Sequence, residues 1–265
     1  MIDRTPGVAV VALVMAMAAL SACDRAAENN AATPAHLPAG TTAGPIHVPP
    51  PEQNISGVWL IQRYGPTIRS EGGGEPPFTE EGRTRYEANR AALAADPLAN
   101  DESRRNCVPD GVPRILSSPY PFQILQTPGQ VSIAYEINRV LRRIFLDTPQ
   151  AAPELLEFVP YYSGYSVGHW EGDTLVIETA GFNDKTFLDN SGTPHSNRLQ
   201  TVERVRRLDD KTLEIAVTIT DPAIFSEPWN ARFVYDLHPE VRLMDYVCGE
   251  PHRDISHISG VNVPN

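Results

Sequence analysis

From residue 122 onward the chain alternates between short segments rich in β-branched and aromatic residues and clusters of turn formers. This rhythm limits the fold more than any other feature of the sequence. The segments run 122–126, 130–137, 140–146, 164–170, 174–180, 199–208, 212–220, 231–237 and 241–248, with an earlier one at 54–61. Pro128-Gly129 and Asp209-Asp210-Lys211 mark two of the hairpin turns. Successive strand side chains point to opposite faces, and the alternation is sharpest where Leu213, Ile215, Val217 and Ile219 interleave with Glu214, Ala216, Thr218 and Thr220. It returns in Ala231, Phe233, Tyr235 and Leu237. No βαβ spacing separates the segments, which argues against a doubly wound parallel sheet. The pattern predicts a mainly all-β domain, an antiparallel up-and-down barrel or strongly curved sheet, with a two-sheet sandwich as the alternative. One surface helix is expected near 79–94, where Thr79 supplies an N-cap hydroxyl and Glu80 and Glu81 suit the positive helix terminus.

The stretch 161–182, YYSGYSVGHWEGDTLVIETAGF, reads as two strands joined at Glu171-Gly172. Turn length decides what His169 touches, because a one-residue slip flips every side chain. A two-residue loop puts His169 on a face with Val176 and Glu178. A three-residue loop, Trp170-Glu171-Gly172, puts it with Val167, Leu175 and Ile177. The second register collects the cleaner apolar face and is the one expected.

The N-terminal end carries a different signal. Residues 1–22 read as an export signal: Arg4 gives a positive start, and the apolar run from Gly7 to Leu20 is too short for a convincing membrane span. Leu20-Ser21-Ala22-Cys23 resembles the lipobox of bacterial lipoproteins, which implies lipidation of Cys23; the alternative is an ordinary cleaved signal. Asp24 resembles the inner-membrane retention signal of enterobacterial lipoproteins, which implies the periplasmic side of a bacterial membrane. Residues 24–53 are rich in Ala, Asn, Thr, Pro and Gly and bury too little to offset their ordering entropy, so 23–53 is expected to be a lipidated, flexible tether. Residues 54–265 are then one domain.

The net charge of −11 argues against a nucleic-acid partner, whose phosphates want a basic stripe. Of the three cysteines, Cys23 is assigned to lipid. Cys107 and Cys248 remain for a disulfide in an oxidising compartment, or else are two buried free thiols.

Candidate chemistry gathers in a few places. His169 near a barrel rim, with Asp173 or Glu178 beside it, has the make-up of a general base. The long polar loop 182–196 offers Asp184 or Asp189 as a carboxylate for His195, with Ser196 adjoining. Glu203 on the next strand is placed to look into the cavity of His169. His169, His195, Asp184 and Glu203 are therefore the catalytic candidates, although no local spacing marks them as metal ligands. Gly164 to Gly168 matches the letters of a G-x-S-x-G nucleophile elbow, but inside a predicted strand rather than at a strand-to-helix turn. Arg142 and Arg143 point to opposite faces, and one that faces the interior needs a carboxylate, for which Glu136 on the neighbouring strand is the candidate; a surface salt bridge is the alternative. Arg142 joins Tyr135, Trp170, Phe233 and Tyr235 as candidate lining of an aromatic-walled pocket for a small apolar or aromatic molecule. Simple core filling competes with that reading.

Gly57-Val58-Trp59 resembles the G-x-W opening of lipocalins and other calycin barrels, which implies a calycin-like barrel with the tryptophan plugging one end. Taken whole, the chain resembles a group of uncharacterised exported bacterial proteins through blocks such as PYPFQILQTPG, GHWEGDTLVIETAGFND and PHSNRLQTVERVRRLDDKTLE. That resemblance implies export and a shared fold; it carries no catalytic residue across, and fold alone does not fix function. The expectation is a periplasm-facing lipoprotein that binds a small apolar or aromatic ligand in its barrel and is held to the membrane through Cys23. The alternative is a hydrolase, lyase or isomerase with a His–carboxylate site at the barrel mouth. No cofactor is implied.

Overall fold

The computed structural model describes residues 49–151 and 161–248; the export signal 1–22, Cys23, Asp24 and most of the tether lie outside the described residues. The described residues form nine strands: β1 Gly57–Ile61, β2 Phe122–Thr127, β3 Gln130–Tyr135, β4 Leu141–Leu146, β5 Tyr165–Glu171, β6 Thr174–Ala180, β7 Gln200–Arg207, β8 Thr212–Thr220 and β9 Trp229–Leu237. They follow sequence order around a closed barrel, with β9 pairing back onto β1. The fold is therefore the barrel expected, and not a sandwich. Every neighbouring pair is antiparallel except β4–β5, which is parallel. Parity requires this. Nine strands joined by antiparallel pairing alone would bring β1 and β9 together parallel, and one parallel pair lets the barrel close antiparallel.

Closure also explains a correction. The strand expected at 241–248 does not form, because the β1–β9 ladder leaves β9 no free edge at that end. The segment instead runs as an irregular strap. Met244 N donates to Glu136 Oε2 at 2.8 Å, the Tyr246 ring meets Tyr120 edge-on at 5.3 Å, and the Cys107–Cys248 disulfide fixes its end.

Period-two burial runs through the barrel. Leu213, Ile215, Val217 and Ile219 of β8 face inward beside Trp229, Ala231, Phe233 and Tyr235 of β9. Trp59 is fully buried, with its indole N–H on Ile55 O at 3.1 Å and the Arg207 guanidinium 5.0 Å from the ring centre. The helix α1, Glu80–Ala95, starts where Thr79 accepts from Gly82 N at 3.0 Å. It lies on the surface against the β6–β7 and β8–β9 connections, and only Gly82 and Tyr86 on it are buried. A side chain at Gly82 would collide with the Ile224 carbonyl, so glycine sets how closely α1 approaches. A second short helix, α2 (Glu102–Asn106), was not anticipated; Asp101 caps it.

The central hairpin pairs Glu171 with Thr174, so its loop is the two residues Gly172-Asp173. Gly172 has φ +63°, which suits a tight hairpin turn matching the strand twist. This corrects the expected three-residue loop. His169 pairs with Val176 and shares the outer face with Glu178, while Gly168, Trp170, Leu175 and Ile177 turn inward. This register packs the half-buried indole of Trp170 against the core and leaves the imidazole outside, which is the larger apolar gain.

Candidate functional site: a polar centre at an open seam

One inward position on β4 is charged. Arg142, 3% exposed, reaches across the lumen to Glu203 of β7, which is fully buried. The pair is bidentate: Nη2 to Oε1 at 2.6 Å and Nη1 to Oε2 at 2.9 Å. Arg142 also donates to Ser166 Oγ from Nε at 3.2 Å and Nη2 at 3.1 Å, and to Thr179 Oγ1 at 2.9 Å. Strand register explains the grouping. Ser166 of β5, Thr179 of β6 and Thr201 of β7 are successive cross-strand partners on the inner face, with Glu203 the next inward residue along β7.

Glu136, the carboxylate proposed for Arg142, is instead on the strap: its Oε2 is taken by Met244 N. Arg143 points outward and is exposed. Burial alone pulls the Arg142 pKa down, but the Glu203 carboxylate outweighs it and holds the guanidinium firmly charged. Tyr135 sits beside this centre with its hydroxyl buried and without a hydrogen-bond partner of ordinary geometry. Burial pushes that phenol well up, against the pull of Arg142.

The centre lies at a break in the wall. The parallel β4–β5 ladder is registered only from Ile144 to Leu146 against Ser166 to Gly168. Before β5, the chain diverges to meet Phe182 through a bridge at Tyr161, with Tyr161 N on Gly181 O at 3.0 Å and Asn183 N on Tyr161 O at 2.9 Å. Gly164, at φ +68°, makes the turn back into β5; a side chain there would run into Thr179 and Phe182. The first half of β4 thus pairs with β3 but not with β5. Beside it lies a cleft of about 570 Å³ whose lining includes Arg142, Ser166, Phe145, Tyr161, Tyr162 and Tyr165. Phe145 and Tyr165 stack with ring centres 5.5 Å apart.

The catalytic candidates do not converge. Glu203 faces the lumen, whereas His169 lies on the outer surface with Nε2 3.3 Å from Glu171 Oε1; the other oxygen, Oε2, accepts from Arg204 at 2.8 Å. His195 is buried in the β6–β7 connection. Its Nδ1–H donates to Ser196 O at 3.1 Å and Nε2 accepts from Thr186 Oγ1 at 3.0 Å, so neither Asp184 nor Asp189 is its hydrogen-bond partner. Burial lowers the His195 pKa, partly opposed by the Ser196 carbonyl, and the ring is neutral.

Asp184 is exposed. Asp189 organises the loop, accepting from Ile68 N, Ser191 N and Thr193 N at 3.0, 3.0 and 3.1 Å. The Ser196 hydroxyl donates to Asp221 Oδ1 at 2.8 Å rather than to a histidine. Among the described residues, no group of three or more His, Cys, Asp or Glu is arranged to hold a metal ion.

The pocket candidates behave as core. Tyr135, Phe233 and Tyr235 belong to the hydrophobic core and Trp170 packs against it; Tyr235 Oη donates to Leu116 O at 2.7 Å. The residues that sequence reasoning missed are Ser166, Thr179 and the three tyrosines of the seam. A hydroxyl at an inward position opposite an inward arginine is the signal that marks the first two.

A second cleft, of about 710 Å³, lies beside the strap and includes Tyr64, Asp110, Arg114, Tyr120 and Tyr246. Its polar groups hold each other. Arg114 grips Asp101 at 2.9 and 2.8 Å and donates Nε to Asn190 at 2.9 Å, while Asp110 accepts from Ser103. Burial raises the Asp110 pKa, and Arg114 opposes the shift. Compared with known proteins, the chain matches no family model and no curated relative.

Proposed function

We propose that this protein binds a small apolar or aromatic molecule, and that the binding site is the β4–β5 seam rather than the barrel axis. The observation that carries the reading is the cleft itself: about 570 Å³, with Phe145 and three tyrosines in its lining and Arg142 and Ser166 among the polar residues beside them. That is the size and make-up of a small-molecule site, mostly apolar with a few fixed polar groups. The axis offers less room, since Tyr135, Phe233 and Tyr235 are packed into the core.

The enzymatic alternative has weaker support. Among the described residues, the His–carboxylate pairs His169–Glu171 and His238–Glu240 are on the outer surface and His195 is bound to Thr186. Export and lipidation at Cys23 complete the proposal. The Cys107–Cys248 disulfide supports an oxidising compartment, and Cys23→Ala is expected to move the protein from the membrane fraction to the soluble one.

Fluorescence titration with N-phenylnaphthylamine, a neutral aromatic probe, tests the site. Saturable binding that weakens roughly tenfold or more in Tyr165→Ala, and is unchanged in Leu125→Ala on the outer surface of β2, supports the seam. Equal binding by all three proteins contradicts it.

A further inference from the structure

The charge around the seam differs from that of the rest of the chain. Acidic residues outnumber basic ones by 33 to 22 overall, yet the described lining of the cleft contains Arg139, Arg142 and Arg143 and no Asp or Glu. Arg142 is neutralised from behind by Glu203. Arg139 and Arg143 are exposed at the rim and have no carboxylate partner among the described residues.

Elsewhere exposed arginines are of both kinds: Arg63, Arg69, Arg90 and Arg198 have no carboxylate partner among the described residues, while others are paired. Arg83 meets Glu75, Arg105 meets Asp96, Arg204 meets Glu171, and Arg206 and Arg232 share Glu214. Two guanidinium groups without a carboxylate partner among the described residues, beside an aromatic-walled opening, form a local positive field on an acidic protein. A low-dielectric cleft wall strengthens such a field for a ligand entering it. Guanidinium groups also match the planar oxygens of carboxylates and related oxyanions.

We infer that the seam recognises an anionic apolar molecule, an aromatic or aliphatic body bearing a carboxylate or sulfonate. The apolar body lies against Phe145, Tyr161, Tyr162 and Tyr165, and the charged group meets Arg139 and Arg143. The inference rests on the seam being the binding site and adds the ligand's charge to that reading.

The test uses two probes that share one skeleton: neutral N-phenylnaphthylamine and its sulfonated counterpart, anilinonaphthalene sulfonate, titrated into the full chain at low and at high salt. The sulfonate is expected to bind roughly fivefold or more tightly than the neutral probe at low salt, with the advantage shrinking as salt screens it. The double variant Arg139→Gln/Arg143→Gln, both at exposed positions, is expected to abolish the preference while leaving the neutral probe's affinity within about twofold. Equal affinity for the two probes, or a preference that survives the double variant, overturns charge recognition while leaving the seam as a site. Failure of both probes to bind, or binding of both that Tyr165→Ala does not disturb, overturns the site reading beneath it.

Discussion

The wall made by β6–β9 and the seam between β4 and β5 belong to one barrel but are built on opposite terms. In the wall, long antiparallel ladders run in continuous register from Leu175↔Val205 through Thr212↔Asp236, and the inward residues are mostly apolar. At the seam, a short parallel ladder ends at Ile144 and Ser166, and the inward residues are Arg142, Ser166 and, across the lumen, Glu203. The wall is stabilised by burying apolar area, which needs no particular partner. The seam is held by a bidentate ion pair whose members are each costly without the other. Closing nine strands antiparallel forces one parallel pair somewhere, and it is at that pair that the barrel opens an aromatic cleft. The comparison teaches that the topological exception and the candidate site are the same place.

Five variants test this contrast. The largest effect is expected at the seam. Glu203→Ala leaves Arg142 charged, buried and unpaired, at a cost of about 3–5 kcal/mol measured by denaturant unfolding at neutral pH. The double change Arg142→Met/Glu203→Leu is expected to recover most of that loss, since the ion pair itself contributes little net stability. In the wall, Ile215→Ala is expected to cost about 2–4 kcal/mol by opening a cavity, while leaving probe binding at the seam unchanged. A loss of binding as large as that in Tyr165→Ala would erase the division of roles.

A smaller, pH-dependent effect belongs to the β6–β7 connection. Burial keeps His195 neutral with a lowered pKa. The unfolded chain therefore binds a proton near the ordinary value of about 6.5 that the folded chain refuses. Its contribution is fully present above that pH and is lost as pH falls below it, by at most about 1.4 kcal/mol per pH unit. His195→Gln is expected to flatten this part of the stability profile. The smallest effect is expected at His169, on the outer face: His169→Ala should leave both the unfolding midpoint and probe binding indistinguishable from the parent.

How far the sequence reveals each region follows from the range of the interactions involved. The wall is legible because period-two alternation in Leu213 to Ile219 is local and the two-residue spacing leaves one reading. The disulfide is legible because only Cys107 and Cys248 remain once Cys23 is assigned to lipid. Arg142 stands out as a charge within an apolar strand, but its partner lies 61 residues away on β7 and follows only from barrel register. Glu136, expected as the partner because it is on the neighbouring strand segment, is held by Met244 N instead.

The His169 register failed for a related reason. Gly172 permits more than one turn length, and burial of Trp170 decides between them. The segment 241–248 carries strand-forming residues but meets a barrel already closed, so propensity had no edge to act on. The tyrosines of the seam are not legible as a site because the cleft lies beside the parallel β4–β5 pair, whose place no local pattern marks.

The claim at the centre of this account is that ligand binds where the barrel's pairing is broken. Amide chemical-shift mapping on isotope-labelled protein during titration with N-phenylnaphthylamine tests it most directly. The account predicts that the largest shifts fall within Leu141 to Phe145 of β4 and Tyr161 to Ser166 at the start of β5. Shifts centred on Phe233 and Tyr235 of β9, with β4 undisturbed, would contradict it and return the site to the barrel axis.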